Sequence, residues 1–223
     1  MPSLTVENYM KTIEQITSGQ DGRPATTGQI AAALGVSPGT VTSMLKTLDA
    51  ARLATHRPYE GVSLTRSGRM LALRVIRRHR LIELFLLQTL DMTWDEVHDE
   101  AEHMEHAVSD LLVERIDAFL GRPEVDPHGD PIPRADAVTL SSPDEGATRS
   151  LAECRVGEAF RLARVLDQSS EFLRYLTDCG LGLGAVGIVE GNPDGAGLMR
   201  IRVGRTGLAI ALDAADKLVV ADA

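Results

Sequence analysis

His98-Asp-Glu-Ala-Glu-His-Met-Glu-His106 is the stretch of sequence from which both the fold and the chemistry can be worked out. On a helix, at ~100° per residue, positions 98, 102, 105 and 106 project at roughly 0°, 40°, 340° and 80°. His98, Glu102, Glu105 and His106 therefore share one face, and His103, at roughly 140°, lies off it. Imidazoles and carboxylates on one helix face can converge on a divalent cation, so the stretch predicts a metal site.

A second pair of candidate ligands lies in the helix that precedes this stretch. The apolar spacing predicts one helix from about Ser67 to Leu90 and another from Trp94 to Leu120, which Gly121-Arg-Pro ends. Within the first of these, His79 and Glu83 stand at positions i and i+4 and share a face. A solvated acidic helix with salt bridges would explain one such pair. Two clusters on neighbouring helices favour metal binding.

The first third of the chain has the pattern of a helix-turn-helix. Apolar residues at helical spacing predict a helix over residues 4–17, and a shorter helix follows over 27–34, ended by Gly35. Ser37 is a good N-cap for a third helix that runs to about Ala51. Two short helices joined by a tight turn are typical of DNA-binding proteins, which place the second helix in the major groove.

A hairpin around Pro58–Gly61 predicts a wing after the third helix. Small polar residues at the start of the third helix would let its backbone approach DNA closely, and basic residues of the wing would contact phosphates. The alternative is a generic helical hairpin within a core. The predicted DNA-contacting residues are Thr27, Ser37, Pro38, Gly39, Thr40, Thr42, Ser43, Lys46, Arg57, Tyr59 and Arg66.

Charge is distributed unevenly along the 223 residues, whose formal net charge is −9. Residues 1–80 carry 11 Lys and Arg against 5 Asp and Glu, whereas the remainder carries 12 against 27. A basic first third suits an electrostatic DNA footprint on one domain only.

The sequence has no long apolar span and no signal-peptide pattern, so we expect a cytoplasmic protein. The two cysteines form no metal-binding or disulfide motif.

The C-terminal part of the sequence has a different pattern. Residues 123–148 are rich in Pro, Asp, Gly and Ser and predict a loop and linker. From residue 150 onwards, short apolar runs separated by glycines predict a small β domain with one short helix near 171–177.

The sequence contains no His-Glu-x-x-His, no Gly-x-Ser-x-Gly and no phosphate-binding loop, so we expect no enzyme.

Several of these segments together resemble the diphtheria toxin repressor family, including its manganese-responsive branch. The resemblance rests on Arg78-His-Arg-Leu-Ile-Glu83, Val97 to Asp110, Pro127-His-Gly-Asp-Pro-Ile-Pro133 and Thr65-Arg-Ser-Gly68. It implies a mainly α protein: a winged helix-turn-helix over 1–74, a helical metal-binding and dimerisation domain over 75–133, a linker over 134–149, and an SH3-like (FeoA-like) β domain over 150–223. It also implies a homodimer that binds a palindromic double-stranded DNA operator.

The same resemblance implies two metal sites per subunit. An ancillary site would use His79, Glu83 and His98 with help from Gln168 and Glu171, and a primary site would use Glu102, Glu105 and His106 with Asn8 from the first helix. Iron-type members carry Cys at the position of Glu102, so the harder carboxylate favours Mn²⁺, and Fe²⁺ stays possible. Asn8 and Lys11 depart from the family pattern, in which acidic residues occupy these positions in some members. Met10 projects away from this face and is predicted to lie in the core.

These observations lead to the hypothesis of a metal-dependent transcriptional repressor that controls metal-homeostasis genes. Two alternatives stay open from the sequence alone. The chain could be a winged-helix regulator that senses an organic ligand and uses its His/Glu cluster structurally. It could also be a metalloprotein that does not bind DNA.

Overall fold

The computed structural model describes residues 3–137, 148–191 and 197–223 of the chain. These residues form two compact units. The first unit comprises the described residues within 1–79, 105–108 and 133–141. The second unit comprises the described residues within 80–104, 109–132 and 142–223. Each unit has its own set of secondary-structure elements.

The first unit contains three short helices and a hairpin. They are α1 (Leu4–Ser18), α2 (Thr27–Leu34), α3 (Pro38–Ala50), β1 (Ala54–Arg57) and β2 (Gly61–Leu64). β1 and β2 pair in antiparallel register, from Ala54 opposite Leu64 to Arg57 opposite Gly61. Ser37 caps α3 by accepting the N–H of Thr40, as its sequence position predicts. The helix-turn-helix and its wing are therefore confirmed as elements of the fold.

The core of the first unit is formed by apolar faces of these helices. Met10 and Ile13 of α1 are fully buried, as are Val41 and Leu45 of α3 and Val62 of the wing. Met10 is thus a core residue, as its position on α1 predicted. Packing the wing against the helices holds the exposed face of α3 in a defined orientation.

The long helix α4 (Arg66–Leu90) begins directly after the wing. Its first turn lies so close to Leu53 that a Cβ on Gly68 would come within 1.9 Å of the Leu53 carbonyl oxygen. The Thr65 hydroxyl accepts the N–H of Gly68 and donates to the carbonyl of Arg52. This close approach gives a physical reason for the Thr65-x-x-Gly68 pattern, because only glycine leaves room for the backbone.

The helix predicted from Trp94 to Leu120 is two helices, so that prediction was wrong. α5 (Val97–Met104) ends before the last two candidate ligands, and α6 (Asp110–Phe119) begins after Ser109, whose hydroxyl caps it by accepting the N–H of Leu112. Residues 105–108 form a turn that belongs to the first unit. The predicted single helix face for residues 98, 102, 105 and 106 is therefore wrong as well. A serine at an N-cap position favours the start of a new helix over the continuation of the preceding one. Here Ser109 has this effect, although the apolar periodicity continues.

The second unit ends in a β domain, residues 149–223. Its elements are β3 (Arg149–Ser150), a 3₁₀ turn (Leu151–Glu153), β4 (Ala159–Val165), α7 (Ser170–Asp178), β5 (Val186–Gly191), β6 (Leu198–Val203), β7 (Thr206–Ala211), α8 (Leu212–Ala215) and β8 (Leu218–Ala221). The described strands of this domain form one antiparallel sheet in the order β3-β8-β4-β5-β6-β7. The predicted β domain with a short helix near 171–177 is confirmed, whereas β3, the 3₁₀ turn and α8 were not predicted.

The segment after α6 is more ordered than the predicted loop and linker. Val125 bridges Pro131, and the N–H of Ile132 donates to the carbonyl of Glu124. The residues between them, 126–130, are buried. Part of the predicted linker, residues 138–147, lies outside the described residues. None of the described helices has the length and apolar character that a bilayer crossing needs.

Candidate metal centres

A cluster of polar side chains lies inside the first unit, and we refer to it as the first centre. α1 supplies Glu7, Asn8 and Lys11, because these three positions fall on neighbouring faces of the helix. α4 supplies His79, which is the last residue of this helix that belongs to the first unit. The turn after α5 supplies Glu105 and His106.

Glu105 lies at the middle of the first centre and is completely buried. Its Oε2 accepts a hydrogen bond from the ammonium of Lys11 at 2.7 Å and lies 2.7 Å from Nδ1 of His79. The Lys11 nitrogen also lies 3.1 Å from the same imidazole nitrogen. A buried carboxylate needs a compensating positive charge, and Lys11 provides one.

Three buried atoms of the first centre have no hydrogen-bond partner among the described residues. They are Oδ1 of Asn8, Oε1 of Glu105 and Nε2 of His106. Oε1 of Glu105 and Nε2 of His106 lie 3.2 Å apart. Each unpaired buried polar atom costs about 1–3 kcal/mol. Two oxygens and an imidazole nitrogen with unused lone pairs form a donor set that suits a divalent cation.

Glu7 is a residue of this centre that was not predicted from the sequence. Its Oε2 lies 2.6 Å from Nδ1 of His106. An ionised carboxylate only accepts hydrogen bonds, so Nδ1 is the donor, and in the neutral imidazole Nε2 keeps its lone pair. Carboxylates commonly orient metal-binding histidines in this way. The available signal was its spacing, since Glu7 and Lys11 stand at i and i+4 on α1.

A second cluster, the second centre, lies in the second unit and contains Glu83, His98, Asp126 and His128. Oε1 of Glu83 lies 3.1 Å from Nδ1 of His98, and Oε2 lies 3.8 Å from Nδ1 of His128. One ligand atom each from Glu83, Asp126 and His128 falls within 4.8 Å of the others. All three of these residues are buried.

The orientation of His128 leaves one ring nitrogen available. Its Nε2 lies 3.0 Å from the carbonyl oxygen of Trp94 and must donate to it, since a carbonyl only accepts. Its Nδ1 has no hydrogen-bond partner among the described residues and faces Glu83. The Trp94 ring stacks on the imidazole at a centroid distance of 6.2 Å. In its neutral form, His128 therefore directs the lone pair of Nδ1 toward Glu83.

Carboxyl groups are crowded at the second centre. Burial, followed by the neighbouring carboxylates of Asp130 and Glu83, raises the pKa of Asp126 to about 8, and Arg80 opposes this rise. Arg80 lies 3.4 Å from Oδ2 of Asp126 and 3.2 Å from Oδ2 of Asp130. One guanidinium among several buried carboxylates leaves a site that a divalent cation would stabilise.

Within each unit, the structure shows which of the predicted ligands contact one another. Glu83 contacts His98 as predicted for the ancillary site, whereas His79 contacts Lys11 and Glu105. Glu102 is half-buried, with Oε1 4.0 Å from Nε2 of His98. His79 and Glu102 therefore stay predictions as metal ligands.

The two predicted donors from the C-terminal domain differ in their surroundings. The amide nitrogen of Gln168 donates to Oδ2 of Asp130 at 2.9 Å, and Glu171 is exposed in the first turn of α7. Asp126 and His128 were recognised in the sequence only as part of a loop. The signal was the Pro127-His128-Gly129 segment, in which a histidine stands two residues from each of two aspartates.

The predicted DNA-contacting residues lie at the surface of the first unit. Thr27 and Thr42 are half-buried and the others are exposed: Ser37, Pro38, Gly39, Thr40, Ser43, Lys46, Arg57, Tyr59 and Arg66. The Thr42 hydroxyl donates to the carbonyl of Pro38. Tyr59 is fully exposed at the tip of the wing, and Arg57 pairs with Glu60 at 3.3 Å. The geometry leaves the N-terminal end of α3 and the wing accessible.

The second unit exposes large apolar side chains on its helices. Leu90, Leu111, Leu112 and Phe119 are 61%, 70%, 47% and 71% exposed. Phe119 packs edge-on against Phe85 at 6.1 Å. Leu84 and Leu86 of α4 are instead buried in the unit itself. Exposed apolar groups of this size on α4 and α6 are typical of a surface that another chain covers.

Comparison with known protein families gives matches along most of the chain. Residues 1–62 match the N-terminal DNA binding domain of iron dependent repressors, and residues 65–134 match their metal binding and dimerisation domain. Residues 149–222 match the FeoA domain.

Individual proteins are similar over most of their length. The diphtheria toxin repressor of Corynebacterium glutamicum is 30% identical over 186 residues, which are 81% of this chain and 81% of that protein. The iron-dependent repressor IdeR of Mycobacterium tuberculosis is 29% identical over 200 residues, 86% of each chain. A solved manganese-dependent transcriptional repressor in complex with manganese is 37% identical, with a TM-score of 0.86, and the match covers 98% of this chain and 100% of that one.

Proposed function

The chain belongs to the iron-dependent repressor family of metal-dependent transcriptional repressors, and from this premise we propose that Mn²⁺ is its activating ion. As in that family, its partners are DNA and a second copy of the chain. This membership argues against an organic-ligand sensor and against a metalloprotein that does not bind DNA. It also argues against an enzyme, because the family consists of transcriptional repressors.

The chemistry of the first centre supports Mn²⁺ more than a softer ion. The observation that carries the proposal is the set of three buried atoms, on Asn8, Glu105 and His106, that have no partner among the described residues. All three atoms are oxygen or nitrogen, and hard divalent ions such as Mn²⁺ favour such sets. The likeness to a manganese-bound repressor points the same way. Fe²⁺ uses similar ligands and is the alternative ion.

The first centre would connect two separate parts of the sequence within its unit. A bound cation supplies positive charge and open coordination positions, and Asn8, Glu105 and His106 would bind it through these three atoms. Because Asn8 is on α1, this would hold α1 to the turn that carries Glu105 and His106. α1 packs in the same core as α3, so the position of α3 would depend on this link.

We propose the second centre as a second metal site in each subunit. Glu83 and His98 are ligands predicted from the family, and Asp126 and His128 are added because they lie beside Glu83. The available Nδ1 of His128 and the crowded carboxylates support this assignment. Glu102, His79, Gln168 and Glu171 stay predictions as ligands.

DNA recognition would use the exposed start of α3 and the wing. A dimer presents two such helices, so a palindromic operator with two half-sites would match its symmetry. The metal would act by binding more tightly to the DNA-competent state than to the other states. The controlled genes would be those of metal homeostasis. The apolar residues Leu90, Leu111, Leu112 and Phe119 are the proposed dimer surface.

A DNA-binding titration tests this function. The full chain is incubated with its own promoter fragment in the presence of chelator, Mn²⁺, Fe²⁺ or Zn²⁺, and binding is measured by fluorescence anisotropy. We expect binding that needs metal and is half-maximal at the lowest concentration with Mn²⁺. Binding that is unchanged by chelator would argue against metal activation.

A pair of double variants makes the test specific to the first centre. Glu105→Ala with His106→Ala should abolish the response to Mn²⁺. Glu100→Ala with His103→Ala is the matched control, because both residues are exposed on the neighbouring helix α5. If the first double variant still responds to Mn²⁺ as the control does, the first centre has been assigned wrongly.

A further inference from the structure

Residues 126–130, which carry two side chains of the second centre, are bound to the β domain through main-chain contacts. The N–H of Val165, the last residue of β4, donates to the carbonyl oxygen of His128 at 2.9 Å. The imidazole of His128 is therefore attached to a backbone that continues the hydrogen bonding of the sheet. Its ring is held separately by the carbonyl of Trp94.

Gly129 makes the closest of these contacts. A Cβ on Gly129 would lie 2.1 Å from the carbonyl oxygen of Ala163 and 2.8 Å from Cα of Arg164, and its φ of +86° disfavours other residues. The register of β4 against β8 shifts between Leu162 and Arg164, so Ala163 lies in a β-bulge. The glycine and the bulge therefore meet at this contact, where a side chain on residue 129 would find no room.

The ends of the same segment are also tied down. Oδ1 of Asp126 accepts the N–H groups of His128 and Asp130, at 2.8 and 2.9 Å. The carboxylate of Asp130 pairs with Arg164 of β4 and accepts a hydrogen bond from Gln168. Five consecutive residues are thus held from both sides, while one of them directs an available ring nitrogen toward Glu83.

We propose that Gly129 is a positioning residue through which strand β4 sets the metal affinity of the second centre. The inference rests on the proposed metal binding at that centre. A side chain at position 129 would push the segment away from Ala163 and displace Nδ1 of His128 from Glu83. Residues that orient metal ligands commonly change metal affinity by about 10- to 100-fold when they are altered. Linkage is reciprocal, so metal at the second centre stabilises the bond between Val165 and His128.

The test compares two glycine substitutions in the full-length protein. Gly157 is the matched control, since its φ of +88° is nearly the same as that of Gly129, but a Cβ added there would meet no described atom within 4 Å beyond its chain neighbours. Mn²⁺ binding is measured by isothermal titration calorimetry, with the bound ion counted by electron paramagnetic resonance. We expect Gly129→Ala to weaken Mn²⁺ binding at the second centre by about tenfold or more. Mn²⁺ binding at the first centre should be unchanged. Gly157→Ala should bind both ions as the natural protein does.

Arg164→Met provides a second variant that introduces no steric clash. Arg164 is partly exposed and pairs with Asp130. Removing a positive charge beside a cation site should strengthen metal binding if charge alone matters. The loss of a positioning contact should weaken it instead. The sign of the change therefore separates the two effects even if Gly129→Ala does not fold.

Hydrogen exchange gives a readout that does not depend on affinity. In the natural protein, Mn²⁺ should slow exchange of the Val165 amide, and in Gly129→Ala this slowing should be absent at the same Mn²⁺ concentration. Two ions bound with unchanged affinity in Gly129→Ala, or tighter binding in Arg164→Met, would overturn the role of Gly129. If the natural protein binds one ion only, and Glu105→Ala with His106→Ala removes it, the second centre itself is wrong and the inference fails with it.

Discussion

The ammonium of Lys11 lies 2.7 Å from Oε2 of Glu105, and both side chains are buried. The chain thus places its own cation beside the carboxylate that we propose as a metal ligand. Lys11 occupies one oxygen of Glu105 and leaves the other, Oε1, without a hydrogen-bond partner among the described residues. This arrangement is consistent with a single ion in the first centre, because a second cation there would meet the lysine charge.

Lys11→Met should destabilise the metal-free protein and strengthen Mn²⁺ binding at the first centre. Removing one partner of a buried ion pair typically costs about 3–5 kcal/mol, because the other charge is left uncompensated. The same change removes a charge that repels the metal. Thermal unfolding with chelator and with saturating Mn²⁺ measures both effects. Lys46→Met, at an exposed position of α3, is the control and should change neither quantity.

Glu7→Gln should weaken Mn²⁺ binding at the first centre by about tenfold. The amide can still accept the hydrogen bond from His106, but it lacks the charge that raises the basicity of the imidazole. Calorimetry with the natural protein and with Asp21→Asn, a substitution at an exposed acidic residue, provides the comparison. Equal affinities for all three proteins would show that Glu7 does not support a metal ligand.

Asn8→Asp should tighten Mn²⁺ binding at the first centre, and Asn8→Leu should weaken it. A carboxylate adds a negative charge at the position of the buried amide oxygen Oδ1, whereas leucine removes the oxygen altogether. Opposite changes in Mn²⁺ affinity for the two variants would distinguish a metal ligand from a residue that only packs in the core. Should both variants bind Mn²⁺ as the natural protein does, Asn8 would have no role as a ligand.

The metal-free protein should lose stability at the second centre as pH rises toward 8. The pKa of Asp126 is raised to about 8 in the folded protein by burial and by Asp130 and Glu83, against the opposing charge of Arg80. In the unfolded chain an aspartate titrates near about 4. Between these values the folded state holds a proton that the unfolded state does not, so stability falls with increasing pH.

Urea denaturation at several pH values between 5 and 8 in the presence of chelator tests this slope. Asp126→Asn should flatten it, since the amide does not titrate. Asp99→Asn, at an exposed position of α5, is the control and should keep the slope of the natural protein. A slope that Asp126→Asn leaves unchanged would contradict the role given to Asp126.

Leu111→Glu should shift the protein from dimer to monomer. Leu111 is 70% exposed on α6, and a charge within the proposed apolar dimer surface is costly to bury. Light scattering coupled to size-exclusion chromatography gives the mass in solution. Leu4→Glu, at a residue that is 57% exposed in the first unit, should stay dimeric.

Local signals predicted the first 64 residues well. Cap residues such as Ser37 and Gly35, together with apolar spacing, act within one or two turns, so they can be recognised without knowledge of the rest of the chain. The helix from Trp94 to Leu120 was predicted wrongly for the same reason. Its apolar spacing continues through residues 105–109, and the cap at Ser109 divides it into two helices.

The sequence by itself determined the family, the helices and the wing of the first 64 residues, and the kinds of ligand that a metal would meet. Only the tertiary structure decided which atoms face one another. Glu7 and His106 are 99 positions apart, and His128 reaches Glu83 from a segment that is held by β4. Spacing along one helix cannot encode such contacts. They depend on how α1 packs in its core and on the space that Gly129 leaves at the bulge of β4, which are properties of the packed chain.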